Sequence, residues 1–102
     1  NITIMPIRHH TTYVGKIHWQ AAVELDSARF RLAYNLALAY EKSDQHLLAG
    51  QTWREALRRR PRRADHPDAL SDEQVAQVWQ RAAECYRKAG EFDEVGRTYQ
   101  QA

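Results

Sequence analysis

Trp19 and Trp53 stand 34 residues apart, and the spacing is shared by their neighbours. Ala22 is matched by Ala56, Val23 by Leu57, and the small residue Gly15 by Ala49. A second offset, of 46 residues, pairs Tyr40 with Tyr86, Ala37 with Ala83, Ala49 with Val95, Trp53 with Tyr99 and Ala56 with Ala102. The extra 12 residues fall in a polar stretch from Ala64 to Val75, so one insertion restores all the matches together. A chain that repeats itself at this period is built from small supersecondary units that bury their apolar faces only by stacking on one another. That constraint governs the rest of the reading.

Each unit reads as two helices. Phe30, Ala33, Leu36, Ala37 and Tyr40 recur at spacings of three and four behind Ser27, a residue type that suits an N-cap. Ser43 and Asp44 interrupt that helix, because their side chains compete for backbone hydrogen bonds. Leu48, Ala49, Trp53, Ala56 and Leu57 form a second stripe, which Pro61 stops. Ser71-Asp72-Glu73-Gln74 then has the form of a capping box, with its acids at the positive end of a third helix. This helix carries Val75, Val78, Trp79, Ala82, Ala83 and Tyr86, and Gly90 fits its left-handed terminus. A last helix runs from about Glu91. Ahead of Ser27, residues 13–25 read as a separate helix.

The pattern Ala33-x-x-Leu36-Ala37-x-x-Tyr40, Ala49-x-x-x-Trp53-x-x-Ala56, Pro61 resembles the signature of the tetratricopeptide repeat family. Trp79-x-x-Ala82-Ala83-x-x-Tyr86, Gly90, Phe92 and Tyr99-x-x-Ala102 is similar to a second copy, with Val95 where the family prefers alanine. Trp19-x-x-Ala22 is similar to the tail of an earlier one. The resemblance implies an all-α fold, a short right-handed solenoid of antiparallel helix pairs with about two and a half repeats. It divides the chain into a half repeat (13–26), a repeat (27–61), a connector (62–71) and a repeat (72–102). Residues 1–12 stand outside the pattern, since Pro6 would interrupt a helix and Ile2-Thr3-Ile4 alternates as an extended segment does. The connector is expected to be a surface loop that tolerates deletion.

Such arrays hold proteins or peptides on the concave wall made by the first helices of each pair. The non-core face of the first is expected to present Arg31, Tyr34, Asn35 and Leu38, and that of the later one Gln77, Gln80, Arg81, Glu84 and Lys88. Amides and guanidinium groups there can bond an extended backbone and its carboxylates, which implies an acidic peptide as partner. Asn35 and Arg81 lie where the family's chaperone-tail binders keep two residues of a carboxylate clamp, whereas Gln77 stands where that clamp has a lysine. The competing function is self-association, or regulation of a larger protein, through the uncapped last helix with Val95 and Tyr99.

Other chemistries find little support. The five histidines (His9, His10, His18, His46 and His66) form no pair on one helix face with a third ligand nearby, so no metal or other cofactor is expected. No phosphate loop or nucleophile motif occurs, and no enzyme is expected. Cys85, inside an apolar helix and the sole cysteine, reads as a small buried hydrophobe and fits a reducing, cytoplasmic setting. No apolar run approaches the roughly 20 residues of a membrane span, and residues 2–7 are too short for the core of a signal peptide. The run Arg58-Arg59-Arg60-Pro61-Arg62-Arg63 could meet phosphate. With a net charge of +2 and no interleaved aromatic residues, nucleic acid is not the expected partner.

Overall fold

In a computed structural model, residues 4–5 and 18–102 are described, the stretch 18–24 by its backbone alone. The described residues form four helices and no strand: α1 (His18–Lys42), α2 (His46–Arg59), α3 (Asp72–Lys88) and α4 (Phe92–Gln101). Each packs on its neighbours in sequence, α1 on α2, α2 on α3 and α3 on α4. Within α1 and α2, Arg29 and Leu36 share a shallow groove with Arg59 and Thr52, so the two run antiparallel.

The two turns are copies of one another. After α1, Asp44 adopts a left-handed φ of 60°, its amide donates to Glu41 O, and the Gln45 amide reaches back to Tyr40 O at 2.9 Å. After α3, Gly90 has φ 79°, its amide donates to Arg87 O, and the Glu91 amide reaches Tyr86 O at 2.9 Å. Both are Schellman endings, which close the orphan carbonyls of a helix terminus. Gln45 and Glu91 then open α2 and α4 with nearly identical backbone angles (φ −91°, ψ 72° and φ −92°, ψ 69°). Every member of one turn lies 46 residues from its counterpart, the offset of the sequence repeat. Other boundaries follow local chemistry. Ser71 and Gln74 complete the reciprocal capping box at 3.1 and 2.8 Å. Arg60, held before Pro61, turns to an extended ψ of 143° and ends α2.

One expected break is absent. α1 passes through Ser27 as a single helix of 25 residues. No glycine or proline interrupts the backbone ladder there, and the Ser27 hydroxyl meets His66 Nε2 at 2.9 Å instead of capping a new helix. A segment turning back before Ser27 would have covered the far side of α1. Its straight course leaves Leu25, Leu32 and Leu36 exposed, although Leu36 belongs to the apolar repeat. Leu48 is likewise 41% exposed, at the edge of α2 instead of in its buried stripe. Residues 13–17 lie outside the described residues, as does the 1–12 segment except for Ile4 and Met5.

The core gathers Phe30, Ala37 and Leu38 of α1, Ala49, Trp53, Ala56 and Leu57 of α2, and Val78, Ala82 and Cys85 of α3. Small residues stand where the helices cross. Gly50 is the tightest case, because a Cβ there would lie 3.2 Å from three carbons of the Tyr86 ring. Trp53 is the centre. Its fully buried ring meets Tyr34 edge-on at 5.2 Å, and its indole nitrogen donates to Glu41 at 2.5 Å.

The 62–71 connector has no regular structure, as expected, but it is not a disposable surface loop. Asp68 is buried and pairs with Arg31 of α1, while Leu70 packs against the core. His66 Nδ1 accepts the Asp68 amide at 3.0 Å, so in the neutral ring Nε2 carries the proton that is donated to Ser27. The connector is thereby pinned to α1 twice.

Candidate functional site

The nine residues expected on one open wall divide into two groups. Arg31, Tyr34 and Leu38 are buried, between 2% and 6% exposed, and so present almost no surface to a partner. The reason is that α1 is wrapped on more than one side: α2 covers Tyr34, and the connector covers Arg31. Burial raises the Tyr34 phenol above its ordinary range, with Arg81 opposing the shift. Asn35, half-buried, remains at the surface of this wrapping.

Gln77, Gln80, Arg81, Glu84 and Lys88 do come together, in one cleft of about 440 Å³ between α3 and the end of α1. Glu41, Asp44 and His46 complete it. Glu41 is the residue that the sequence reading passed over. Its carboxylate accepts hydrogen bonds from Arg81 Nη2 and Nε, at 2.9 and 3.1 Å, and from the Trp53 indole. The Arg81 guanidinium also lies 5.5 Å from the Trp53 ring centre, within cation–π range. A signal was present, since Tyr34, Leu38 and Glu41 follow one another at four and three residues and share a face.

This changes the electrostatics. Arg81 is engaged by Glu41, and Glu84 by Arg87, whose hydrogen bond holds the Glu84 carboxyl below its usual range. Three carboxylates and two permanent cations line the cleft, so it offers no net attraction to an acidic peptide. What it does offer is amides, at Gln77 and Gln80. Next to α1, Asn35 shows how such a group is used. Its Oδ1 accepts the Met5 amide at 2.8 Å, and its Nδ2 donates to the Met5 carbonyl at 2.5 Å. Both main-chain groups of one residue are thus satisfied by a single side chain, and the Met5 side chain packs against the core.

Cys85 borders the cleft but is 3% exposed. Burial, with the Glu41 charge second, pushes its thiol up to about 11 from an ordinary value near 9. The folded chain therefore retains the proton more strongly than the unfolded one, and stability should fall as pH rises from about 9 towards 11. Cys85→Ala should remove that part of the alkaline loss, as read from urea midpoints across the pH range. An identical alkaline slope in the variant would assign the loss to other groups. Among the described residues, no set of three or more His, Cys, Asp or Glu is placed to hold a metal ion, and no helix is long and apolar enough to cross a membrane.

No family model matches the chain, and neither curated proteins nor solved structures give a match.

Proposed function

We propose that the chain is part of a tetratricopeptide-type helical array and acts as a protein-interaction scaffold that holds an extended peptide, without enzymatic activity. The two-point grip of Asn35 on the Met5 backbone carries this reading. Hydrogen bonds to main-chain groups with an adjacent apolar contact are how a helical wall holds an extended segment of varied sequence. The duplicated turns and the 46-residue register support the repeat architecture. Selectivity would come from shape and amide bonding, in place of the acidic preference that an unpaired Arg81 would have conferred.

On this reading the chain's own Met5 segment is a tethered occupant. A tethered segment competes at an effective concentration on the order of millimolar. A labelled peptide of residues 1–8 should then bind the intact chain weakly. Met5→Pro, which removes the amide donated to Asn35, should strengthen binding of that peptide about tenfold or more, the equivalent of one or two hydrogen bonds. Adding Asn35→Ala should abolish the gain. Fluorescence anisotropy that shows no gain with Met5→Pro, or a gain indifferent to Asn35, would overturn the reading.

A specific observation also favours self-association. Leu32 and Leu36 lie exposed on α1 at one end of the stack, and Phe92 and Tyr99, 68% and 58% exposed, lie on α4 at the other. Unlike faces at opposite ends favour head-to-tail contacts. Light scattering should then show mass growing with concentration, and Tyr99→Glu should suppress the growth.

A further inference from the structure

The arginine run at the end of α2 is not spread over solvent. Arg58, Arg60 and Arg62 line two adjoining clefts of about 510 and 380 Å³. The larger is walled by Trp79 and Tyr86 of α3, and the smaller is closed by Arg59 and Asp26. The charges there do not balance. Glu55 is shared between Arg58 and Arg59, the latter at 2.5 Å. A fifth guanidinium on the larger cleft, Arg54, is paired with Glu94 at 2.8 Å, which leaves the two carboxylates Glu55 and Asp26 against the four guanidinium groups of Arg58, Arg59, Arg60 and Arg62. Arg62 has no acidic partner among the described residues. Arg60 is half-buried, with one nitrogen spent on the Leu57 carbonyl at 2.6 Å. Burial and the nearby Arg62 both lower its affinity for its proton. Two cations held close in a partly dry site repel each other, and an anion between them relieves that repulsion. The C-terminal dipole of α2 opposes an anion with only about half a unit of charge.

We propose that Arg58, Arg60 and Arg62 form a receptor for a phosphate monoester carried on a side chain of a protein segment. The surplus of two positive charges matches the charge of such a group, about −1.5 to −2 near neutral pH. Guanidinium forks suit its oxygens, since each presents several donors in fixed geometry. The half-buried Trp79 ring gives residues flanking the phosphate an apolar surface, which a free ion would not use. A nucleic acid fits less well. Its phosphates need a continuous basic track, whereas this patch is bounded by Asp72, which shares a neighbouring cleft with Arg60, and by Glu94, which pairs with Arg54 on the wall of the larger cleft. The site lies apart from Asn35 and does not depend on the peptide-holding face proposed above.

The test uses the intact chain and a labelled alanine-glycine nonapeptide with one central phosphoserine, its unphosphorylated twin, inorganic phosphate and a 12-nucleotide single-stranded RNA. The phosphopeptide should bind at least about tenfold more tightly than its twin, the difference made by charge-assisted bonds to two guanidinium groups. Arg62→Glu should abolish the difference. The Arg62 side chain is exposed and unpaired among the described residues, so circular dichroism of that variant should stay unchanged. Arg60→Lys should retain part of the binding and Arg60→Ala none. Equal binding of the two peptides, binding that survives Arg62→Glu, inorganic phosphate as effective as the phosphopeptide, or tighter binding of RNA would each overturn the proposal.

Discussion

Replacing Trp53 with alanine is expected to cost about 3–5 kcal/mol, a large part of the roughly 5–15 kcal/mol that holds a domain of this size together. The indole is fully buried between three helices. Its removal opens a cavity against Tyr34 and takes the aromatic face from Arg81. It also deprives Glu41 of one of its donors. Trp53→Phe keeps most of the apolar volume and removes only the N–H, so it should cost about 1–3 kcal/mol, since the acceptor is a partly buried carboxylate. Leu32→Ala, on the exposed side of α1, should fall within about 0.5 kcal/mol of the parent. Urea unfolding followed by helical circular dichroism orders the three variants. A Trp53→Ala midpoint equal to that of Leu32→Ala would mean that the three helices do not meet at this ring.

The second large effect is expected at Asp68. Arg31 is 2% exposed, and its Nε and Nη2 are buried without hydrogen-bond partners among the described residues. The carboxylate on its Nη1 is therefore what compensates a charge that water cannot reach. Asp68→Ala leaves that charge alone in the interior, a change that costs about 3–5 kcal/mol. Arg31→Met with Asp68→Leu removes both members, and such replacements of buried ion pairs run from neutral to stabilising. The double variant should thus recover most of what the single one loses. Thermal melts of the two, compared at one pH, decide the matter. A single variant as stable as the parent would show that the connector is only loosely attached, which is how its polar composition reads in isolation. Deleting 65–70 should, for the same reason, unfold the chain and not merely shorten a loop.

Most helix boundaries were legible because they rest on local chemistry. Ser71 and Gln74 cap α3, Pro61 fixes where α2 can end, and Gly90 takes the left-handed position, each within a few residues of its partner. Alanine at the helix crossings and tryptophan between them are visible as spacing alone, and they occupy the core as the periodicity predicts. The break at Ser27 was misread for a related reason. Serine favours a cap only if the backbone is already turning, and nothing nearby forces a turn. The choice fell to His66, 39 residues away, which takes the hydroxyl.

The candidate site was half legible. Gln77, Gln80, Arg81, Glu84 and Lys88 share a face of one helix, and a helical wheel places them together as the structure does. Arg31, Tyr34 and Leu38 obeyed the same wheel, but a wheel does not say how many neighbours wrap a helix. The sequence by itself determined α2, α3 and α4, the turns that open α2 and α4, and most of the apolar stripe that packs, because each depends on residues within a turn or two of one another. Tertiary structure alone decided that Arg31 would be buried on Asp68, that Glu41 would neutralise Arg81, and that Asn35 would hold the backbone of Met5. Those pairs are separated by 30 to 40 residues. Whether a charge or an amide is free to meet a partner depends on what the folded chain brings against it, and no local pattern carries that information.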